Sequence, residues 1–260
     1  MNNGTFFEYD FNKPGFTTIV TPENSALKFI SSGTLNLNNE RFEVRTGNEE
    51  MGIFCIGGKT SCEINKVCKM INKYDGLFIP PHNQVNIQTK EETKMVWFSV
   101  PSNMKSKPEI IYFDHVSEDP DTHFASGSEK TSSRRDVYQI ISKKIKAARL
   151  LAGITIGDNG SWTSWPPHEH GAQREELYIF FDMPYPQFGI QMVYSADIAS
   201  PEICKVVKEG SAVAIPSGFH PNVAGPGSKL SYIFIMASLE EGRFRDFSNV
   251  CFDKRFVKEA

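Results

Sequence analysis

The sequence predicts an all-β protein made of two consecutive barrel domains. Short apolar segments recur along the whole chain, and clusters of Gly, Asn, Pro and Lys separate them. No helical periodicity of comparable length competes with this alternation. Each half also contains one matched pattern, an acidic residue and Gly followed by an apolar strand, a Pro turn and a His, at residues 75–83 and 209–220. Such internal similarity indicates two copies of one antiparallel β domain.

Changes in composition set the predicted domain boundaries. Residues 1–105 carry the first series of strand-like segments and form the predicted N-terminal barrel. Residues 106–133 are polar, charged and rich in turn formers, and we interpret them as a linker. Residues 134–250 repeat the strand pattern and form the second barrel, which leaves residues 251–260 as a tail.

Composition also restricts the function. The 28 basic and 31 acidic residues form no basic stripe, so we expect no nucleic-acid partner. No stretch approaches the roughly 20 apolar residues that span a bilayer, and the N-terminus lacks a signal-peptide pattern. We therefore expect no membrane partner and a cytoplasmic location. The five scattered cysteines include no Cys-x-x-Cys pair, which argues against disulfides and a thiolate zinc site.

The segment from Gly160 to Asp182 contains the main candidate ligands. His168 and His170 are two residues apart, so in a strand both project from one face. Glu175 and Glu176 open the next apolar segment, and His220 follows a strand and a turn. Three imidazoles and one carboxylate can converge on a divalent transition metal.

Further residues are candidates for a pocket around this site. Tyr178 lies two residues after Glu176 and so on the same face. Gln191, within an apolar stretch, is a candidate for a hydrogen bond to the substrate. Arg174 and Lys229 can receive a substrate carboxylate, although charged loop residues are more often solvated. His82, in a Pro-rich turn without a His-x-His upstream, is interpreted as structural.

These motifs resemble the metal-binding signature of the cupin superfamily. A His-x-His on one strand, a Glu opening the next, and Gly210-x5-Pro216-x-Gly218 followed by His220 carry the likeness. The resemblance implies a bicupin, two tandem double-stranded β-helix or jelly-roll barrels, of which the first is degenerate.

A narrower resemblance covers residues 134–237. The segments Gly160–His170, Phe188–Ser195 and Ile215–Ala237 resemble the 5-deoxy-glucuronate isomerases of inositol catabolism, which share a family with the 4-deoxy-5-ketouronate isomerases. Glu169 and Gly171 stand where that family usually has Lys and Asp. These positions flank the ligands, so the departure concerns the substrate more than the metal.

The cupin pattern leaves a choice between two carboxylates. Spacing from the second His favours Glu175, whereas the position before the apolar strand favours Glu176. We choose Glu176, because a slip of one residue in a strand turns every side chain to the wrong face. Glu175 is then expected to be exposed or at the rim of the pocket.

The resemblance implies a metal-dependent aldose–ketose isomerase that converts 5-deoxy-glucuronate to 2-deoxy-5-keto-gluconate. The cofactor would be one divalent transition metal, zinc or manganese, and the partner a uronate-type sugar acid. Glu175, Tyr178 or a metal-bound water are the candidates for the base. Alternatives are a 4-deoxy-5-ketouronate isomerase, an iron-dependent cupin dioxygenase and a non-catalytic sugar-binding bicupin, and a homo-oligomer is possible for any of them.

Overall fold

The structure, a computed structural model, describes residues 4–257, and its regular secondary structure consists almost entirely of β-strands. This confirms the all-β prediction. The strands of the first half are β1 (Phe6–Glu8), β2 (Gly15–Val20), β3 (Ser31–Asn38), β4 (Arg41–Arg45), β5 (Glu49–Gly57), β6 (Thr60–Ile64), β7 (Val67–Ile71), β8 (Gly76–Ile79), β9 (Gln84–Gln88), β10 (Glu92–Pro101) and β11 (Glu109–Ile111).

A short helix and a second series of strands follow. They are α1 (Phe113–Glu118), β12 (His123–Ser126), a 3-10 helix (Glu129–Thr131), β13 (Arg135–Ile141), β14 (Leu150–Gly157), β15 (Trp162–Thr163), β16 (His168–Glu169), β17 (Arg174–Phe180), β18 (Gly189–Val193), β19 (Ile203–Val207), β20 (Ser211–Ile215), β21 (Asn222–Ala224), β22 (Ser231–Ser238) and β23 (Cys251–Phe252). None of the helices described between residues 4 and 257 is long and apolar enough to cross a membrane.

Each half of the chain forms two facing antiparallel sheets. In the first barrel a sheet of order β11-β8-β5-β10-β3-β2 faces one of order β4-β9-β6-β7 across a single apolar core. In the second barrel a sheet of order β1-β20-β17-β22-β14-β13-β12 faces one of order β15-β21-β18-β19 across another core. A third core lies between the two larger sheets and joins the barrels.

The alternation of side chains along β17 explains how one strand serves two cores. Tyr178 and Phe180 point into the second barrel, whereas Leu177 and Ile179 pack into the core shared with the first barrel. Successive residues of a strand face opposite sides, so the continuous apolar run after Glu176 is what a strand buried on both faces requires. The strand therefore presents one set of side chains to the candidate site and the other to the neighbouring barrel.

The strand pairing departs from the predicted domain boundaries. β1 pairs with β20 and thus belongs to the second barrel, although it lies within residues 1–105. The segment predicted as a linker is divided, because β11 pairs with β8 and β12 pairs with β13. β23, within the predicted tail, pairs with β16, which carries His168. Composition marks where apolar segments lie but does not show which sheet edge a short strand joins.

Two buried glutamates, Glu50 and Glu175, connect the barrels, and we call them the bridging glutamates. Glu50 of the first barrel accepts the backbone N–H groups of residues 148–150 at 2.7, 2.8 and 2.9 Å. Glu175 of the second accepts those of residues 28–30 at 2.6, 2.9 and 3.1 Å. The expectation that Glu175 is exposed or at the rim is wrong, because its side of β17 faces the first barrel and not solvent.

Candidate metal centre

Three histidines converge at one end of the second barrel. His168 lies in β16, His170 follows it, and His220 lies in the turn between β20 and β21. Each offers one ring nitrogen, and these three atoms all lie within 4.8 Å of one another. The Nδ1 atom of His220 lies 2.8 Å from the carbonyl oxygen of Gly218, and that of His168 lies 3.4 Å from that of Pro166. Such contacts fix the rings with Nε2 toward the centre.

Glu176 is fully buried beside two of these imidazoles. Its Oε2 lies 3.1 Å from Nε2 of His170 and 3.2 Å from Nε2 of His220. Burial opposes ionisation, but the hydrogen bond with His170 and the charge interactions with His170 and His220 hold the pKa of Glu176 well below its usual value. The site therefore contains an ionised carboxylate on the cavity side of β17.

The residues present fit a divalent cation. Oε1 of Glu176 is buried and has no hydrogen-bond partner among the described residues. Nε2 of His220 is also buried, and although it lies 3.2 Å from Oε2 of Glu176, it is not aligned for a hydrogen bond with any described residue. Burial, together with the neighbouring imidazoles, lowers the pKa of His168 well below its usual value, and burial lowers that of His170. Neutral imidazoles and a carboxylate are the donors that zinc and manganese accept. A bound cation would provide the missing partner for both orphaned atoms.

Arg174 supports the site from behind and does not line the cavity. Its Nη2 lies 3.1 Å from Nδ1 of His170 and donates to the carbonyl oxygen of Asn249. Its Nη1 donates to the carbonyl oxygens of Phe244 and Asp246. With the side chain only 1% exposed, the predicted role as a loop cation that receives a substrate carboxylate is wrong. Nothing near Arg174 in the sequence indicates that residues 244–249 cover this arginine.

Gln191 also forms its hydrogen bonds with groups of the protein and does not line the cavity. Its Nε2 donates to the backbone carbonyl oxygens of Met192 and His220 at 2.9 and 3.0 Å, and its Oε1 accepts from Asn222 at 2.8 Å. Gln191 is fully buried, as its apolar surroundings predicted, but its amide groups are already paired. It therefore fixes the backbone that presents His220, and a direct hydrogen bond to substrate is not supported.

A cavity of about 540 Å³ opens beside the histidines inside the second barrel. Its wall contains polar side chains among apolar ones. The lining residues are Asp121, Phe124, Ser126, Arg135, Val137, Gln139, Lys143, Thr155, Ser164, His168, His170, Glu176, Tyr178, Tyr232, Phe234, Met236, Asp246, Phe247, Ser248, Val250 and Phe252. Glu175 and Lys229 are not among them, so the predicted roles of Glu175 as base and Lys229 as carboxylate partner are not supported. Lys229 is exposed on the outside of the barrel.

Tyr178 lines the cavity, as its position two residues after Glu176 predicted. Its hydroxyl lies 2.9 Å from Oγ of Ser164, which lies 3.3 Å from the hydroxyl of Tyr232. Burial and the Glu176 carboxylate raise the pKa of Tyr178 well above its usual value. Its hydroxyl is therefore protonated at neutral pH and able to donate a hydrogen bond. The sequence did not reveal Ser164 and Tyr232, because neither lies at motif spacing from the histidines.

The C-terminal segment forms one wall of the cavity. Phe247, Val250 and Phe252 line it, and β23 pairs directly with the strand that carries His168. Asp253 accepts a hydrogen bond from the hydroxyl of Tyr194 at 2.7 Å and fastens the segment to β18 and its following turn. No periodic pattern marks this segment in the sequence, so its place in the cavity wall was not predicted.

A family model and several relatives of known name match this sequence, and they agree on one family. A family model described as KduI/IolB matches residues 8–253. A 5-deoxy-glucuronate isomerase of Geobacillus kaustophilus is 34% identical over 110 residues, which is 40% of each chain. A 5-deoxy-glucuronate isomerase of Lacticaseibacillus casei is 23% identical over 237 residues, 84% of each chain. The 4-deoxy-L-threo-5-hexosulose-uronate ketol-isomerase 1 of Enterococcus faecalis is 27% identical over 241 residues, 90% of this chain and 82% of its own.

Solved structures agree on the fold. An IolB-like protein of Salmonella typhimurium LT2 superposes with a TM-score of 0.81 at 19% identity, covering 97% of this chain and 98% of its own. A Bacillus subtilis oxalate decarboxylase gives a TM-score of 0.63 at 12% identity over 93% of this chain and 77% of its own. The two-barrel cupin fold predicted from the sequence is thereby confirmed. Because the family model spans nearly the whole described chain, this protein belongs to the KduI/IolB family.

Proposed function

We propose that the chain is a metal-dependent aldose–ketose isomerase that converts 5-deoxy-glucuronate to 2-deoxy-5-keto-gluconate. The observation that carries the proposal is the convergence of His168, His170, Glu176 and His220 at the cavity inside the second barrel. Relatives that align along most of the chain bear isomerase names, which supports the same reaction class. We place the reaction in inositol catabolism and the protein in the cytoplasm.

The donor set supports one divalent transition metal, zinc or manganese, as the cofactor. His168, His170, Glu176 and His220 would hold it. A metal in such a site acts as a Lewis acid that stabilises negative charge on a substrate oxygen while the neighbouring carbon loses its proton. Because isomerisation oxidises one carbon and reduces its neighbour, it needs no external oxidant or reductant.

The cavity wall supplies the remaining functions. The protonated hydroxyl of Tyr178, oriented by Ser164, can donate a hydrogen bond to a substrate oxygen. Apolar side chains such as Phe234, Met236 and Phe247 exclude water from the reacting carbons. Glu175 is removed from the set of candidate bases, because its carboxylate accepts three backbone N–H groups on the opposite face of β17.

A 4-deoxy-5-ketouronate isomerase is the second candidate. The Enterococcus faecalis relative with that type of name aligns over 90% of this chain at 27% identity, which exceeds the 23% of the Lacticaseibacillus casei relative. Both reactions move a proton between adjacent carbons of a deoxyuronate, so the same ligands and wall residues would serve either.

The test is turnover of each substrate by protein loaded with zinc or with manganese. Proton NMR in D₂O would follow both the ketose signals and the exchange of the transferred proton, with a His220→Ala variant as the inactive control. We expect 5-deoxy-glucuronate to be converted with the higher kcat/KM. Preference for the ketouronate would select the second candidate. Absence of turnover with both metals and both substrates would reject an isomerase, and iron-dependent oxygen uptake would then indicate a dioxygenase.

A further inference from the structure

A buried arginine lies in the cavity at the start of β13. Arg135, Val137 and Gln139 alternate along this strand, and all three line the cavity. Arg135 is only 8% exposed, so its guanidinium is largely removed from bulk water. No motif marks Arg135 in the sequence, and its inward orientation follows from the alternation of side chains along β13.

The guanidinium of Arg135 lacks a counter-charge. Its Nη1 donates to the backbone carbonyl oxygens of Ser133 and Trp165 at 3.0 and 2.8 Å, which are neutral acceptors. Among residues 4–257, no carboxylate forms an ion pair with it. Its Nε and Nη2 make no hydrogen bond to any residue in this range. An unpaired buried cation costs free energy, and arginine does not escape the cost by losing its proton.

The acidic residues of the cavity do not serve this arginine. Each of the three acidic side chains on the wall contacts another group. Asp121 pairs with Lys144, Asp246 accepts a hydrogen bond from Ser248, and Glu176 pairs with His170. The other cation on the wall, Lys143, is exposed. Arg135 is thus the buried cation of the cavity whose hydrogen-bonding capacity is not consumed by the protein.

The position of Arg135 relates it to the metal ligands through the tyrosines. The carbonyl of Trp165 holds its guanidinium, and the preceding residue, Ser164, holds the hydroxyl of Tyr178. The ring of Tyr178 lies 5.7 Å from that of His220, centroid to centroid. A sugar acid with its carbonyl end at the histidines would therefore extend past the tyrosine hydroxyls toward Arg135.

We propose that Arg135 binds the carboxylate of the substrate and so selects sugar acids over neutral sugars. A planar carboxylate matches the free edge of a guanidinium and can accept two parallel hydrogen bonds. The carboxylate would provide the counter-charge that the protein withholds. This inference rests on the proposed function for the class of substrate, a sugar acid. It does not depend on whether the protein catalyses the isomerisation.

The test measures binding separately from turnover. Calorimetry would compare glucuronate with glucuronamide, its neutral amide, on the metal-loaded protein and on Arg135→Gln, Arg135→Lys and Lys143→Gln variants. We expect the parent protein to prefer glucuronate, Arg135→Gln to weaken glucuronate binding roughly 100-fold and abolish the preference, and Arg135→Lys to restore part of it. Glutamine can still donate to the two carbonyl oxygens, which helps the variant to fold, and metal content with circular dichroism would verify that it has.

Two results would overturn the proposal. One is a parent protein that binds glucuronate no more tightly than glucuronamide. The other is an Arg135→Gln variant that keeps the parent's preference for glucuronate, whatever the preference of Lys143→Gln. Turnover of the deoxyuronates by the same preparations reports on the proposed function alone. A protein that binds glucuronate through Arg135 but isomerises nothing would therefore refute the function and keep the carboxylate site.

Discussion

The two barrels share a topology but differ in the residues at corresponding positions. Met51 pairs with Ile79 at the end of β8, and Glu176 pairs with Ile215 at the end of β20. Met51 therefore occupies in the first barrel the place of the carboxylate in the second. His82, which follows β8, is exposed and donates its backbone N–H to the carbonyl oxygen of Gly47. Within the described range, residues 4–257, the first barrel has the fold but no equivalent of the ligand cluster.

What both barrels retain is the contact between them. Glu50 and Glu175, the bridging glutamates, lie one residue before Met51 and Glu176, on the face that meets the other barrel. Each carboxylate accepts three backbone N–H groups from the opposite half of the chain. The interface between barrels is thus built symmetrically, whereas the candidate chemistry lies in one barrel only. A barrel can lose its metal ligands and still be needed as a scaffold.

The largest expected difference between the barrels is in metal content. A His168→Ala/His170→Ala double variant should lose the ion and at least about 1000-fold in isomerase activity, because two of the four donors are gone. His82→Ala in the first barrel should retain both. Elemental analysis of the two purified variants and of the parent is the measurement. Metal retained at the parent level by the double variant would show that the histidines are not ligands.

The bridging glutamates should contribute equally to stability. Glu50→Ala and Glu175→Ala each leave three backbone N–H groups between the barrels without their acceptor, so the free energy of unfolding should fall by about 3–5 kcal/mol in either variant. Urea denaturation of the metal-loaded protein would measure the loss. Glu175→Gln, tested for turnover, provides the contrast: lost activity at unchanged stability would restore Glu175 as the base.

A smaller difference should arise at the hydroxyl of Tyr178. The corresponding residue of the first barrel is Ile53, two residues after Met51, which has no hydroxyl. Tyr178→Phe should reduce kcat by about 10- to 100-fold with little change in metal content, because a donor to the substrate oxygen is lost. Steady-state kinetics with elemental analysis would measure both, and an unchanged kcat would exclude Tyr178 from the reaction.

The smallest expected effect is a pH dependence confined to the second barrel. Burial depresses the pKa values of His168 and His170, so the unfolded chain binds protons that the folded, metal-free chain does not. Stability should therefore be unaffected above the ordinary histidine pKa of about 6.5 and should decrease as the pH falls below it. We expect the Tm of metal-free protein to fall by about 5 °C from pH 7 to pH 5.5. The double histidine variant should show a weaker dependence, and an identical slope would contradict this origin.

The sequence predicted the fold and the convergence of the histidines from short-range patterns. His-x-His spacing and the alternation after Glu176 are local, and both depend only on the period of a strand. Roles that depend on distant segments were not predictable. The period of a strand places Glu175 and Glu176 on opposite faces of β17, as the structure shows. The neighbouring sequence, however, does not show that the face of Glu175 contacts residues 28–30 instead of water.

Arg174 and Gln191 illustrate the same limit in the site. Their polar side chains near the motif predict contacts with the substrate, but both side chains bind backbone groups of the protein. Arg135 shows the converse: it was not predicted as a site residue, yet it lines the cavity. Its inward orientation follows only once β13 is known to be a strand. Sequence spacing locates donors along the chain, whereas their availability depends on which carbonyl and amide groups the rest of the fold brings to them.

The participation of β1 and β23 in the second barrel has a consequence for biosynthesis. β1 is made first, yet its partner β20 emerges from the ribosome only after the first barrel has been completed. All three histidines are synthesised before β23, which pairs with the strand of His168 and completes the cavity wall. During synthesis the three histidines therefore exist for a time without the segment that covers one side of the site. An ion can enter at that stage without passing the finished mouth of the cavity.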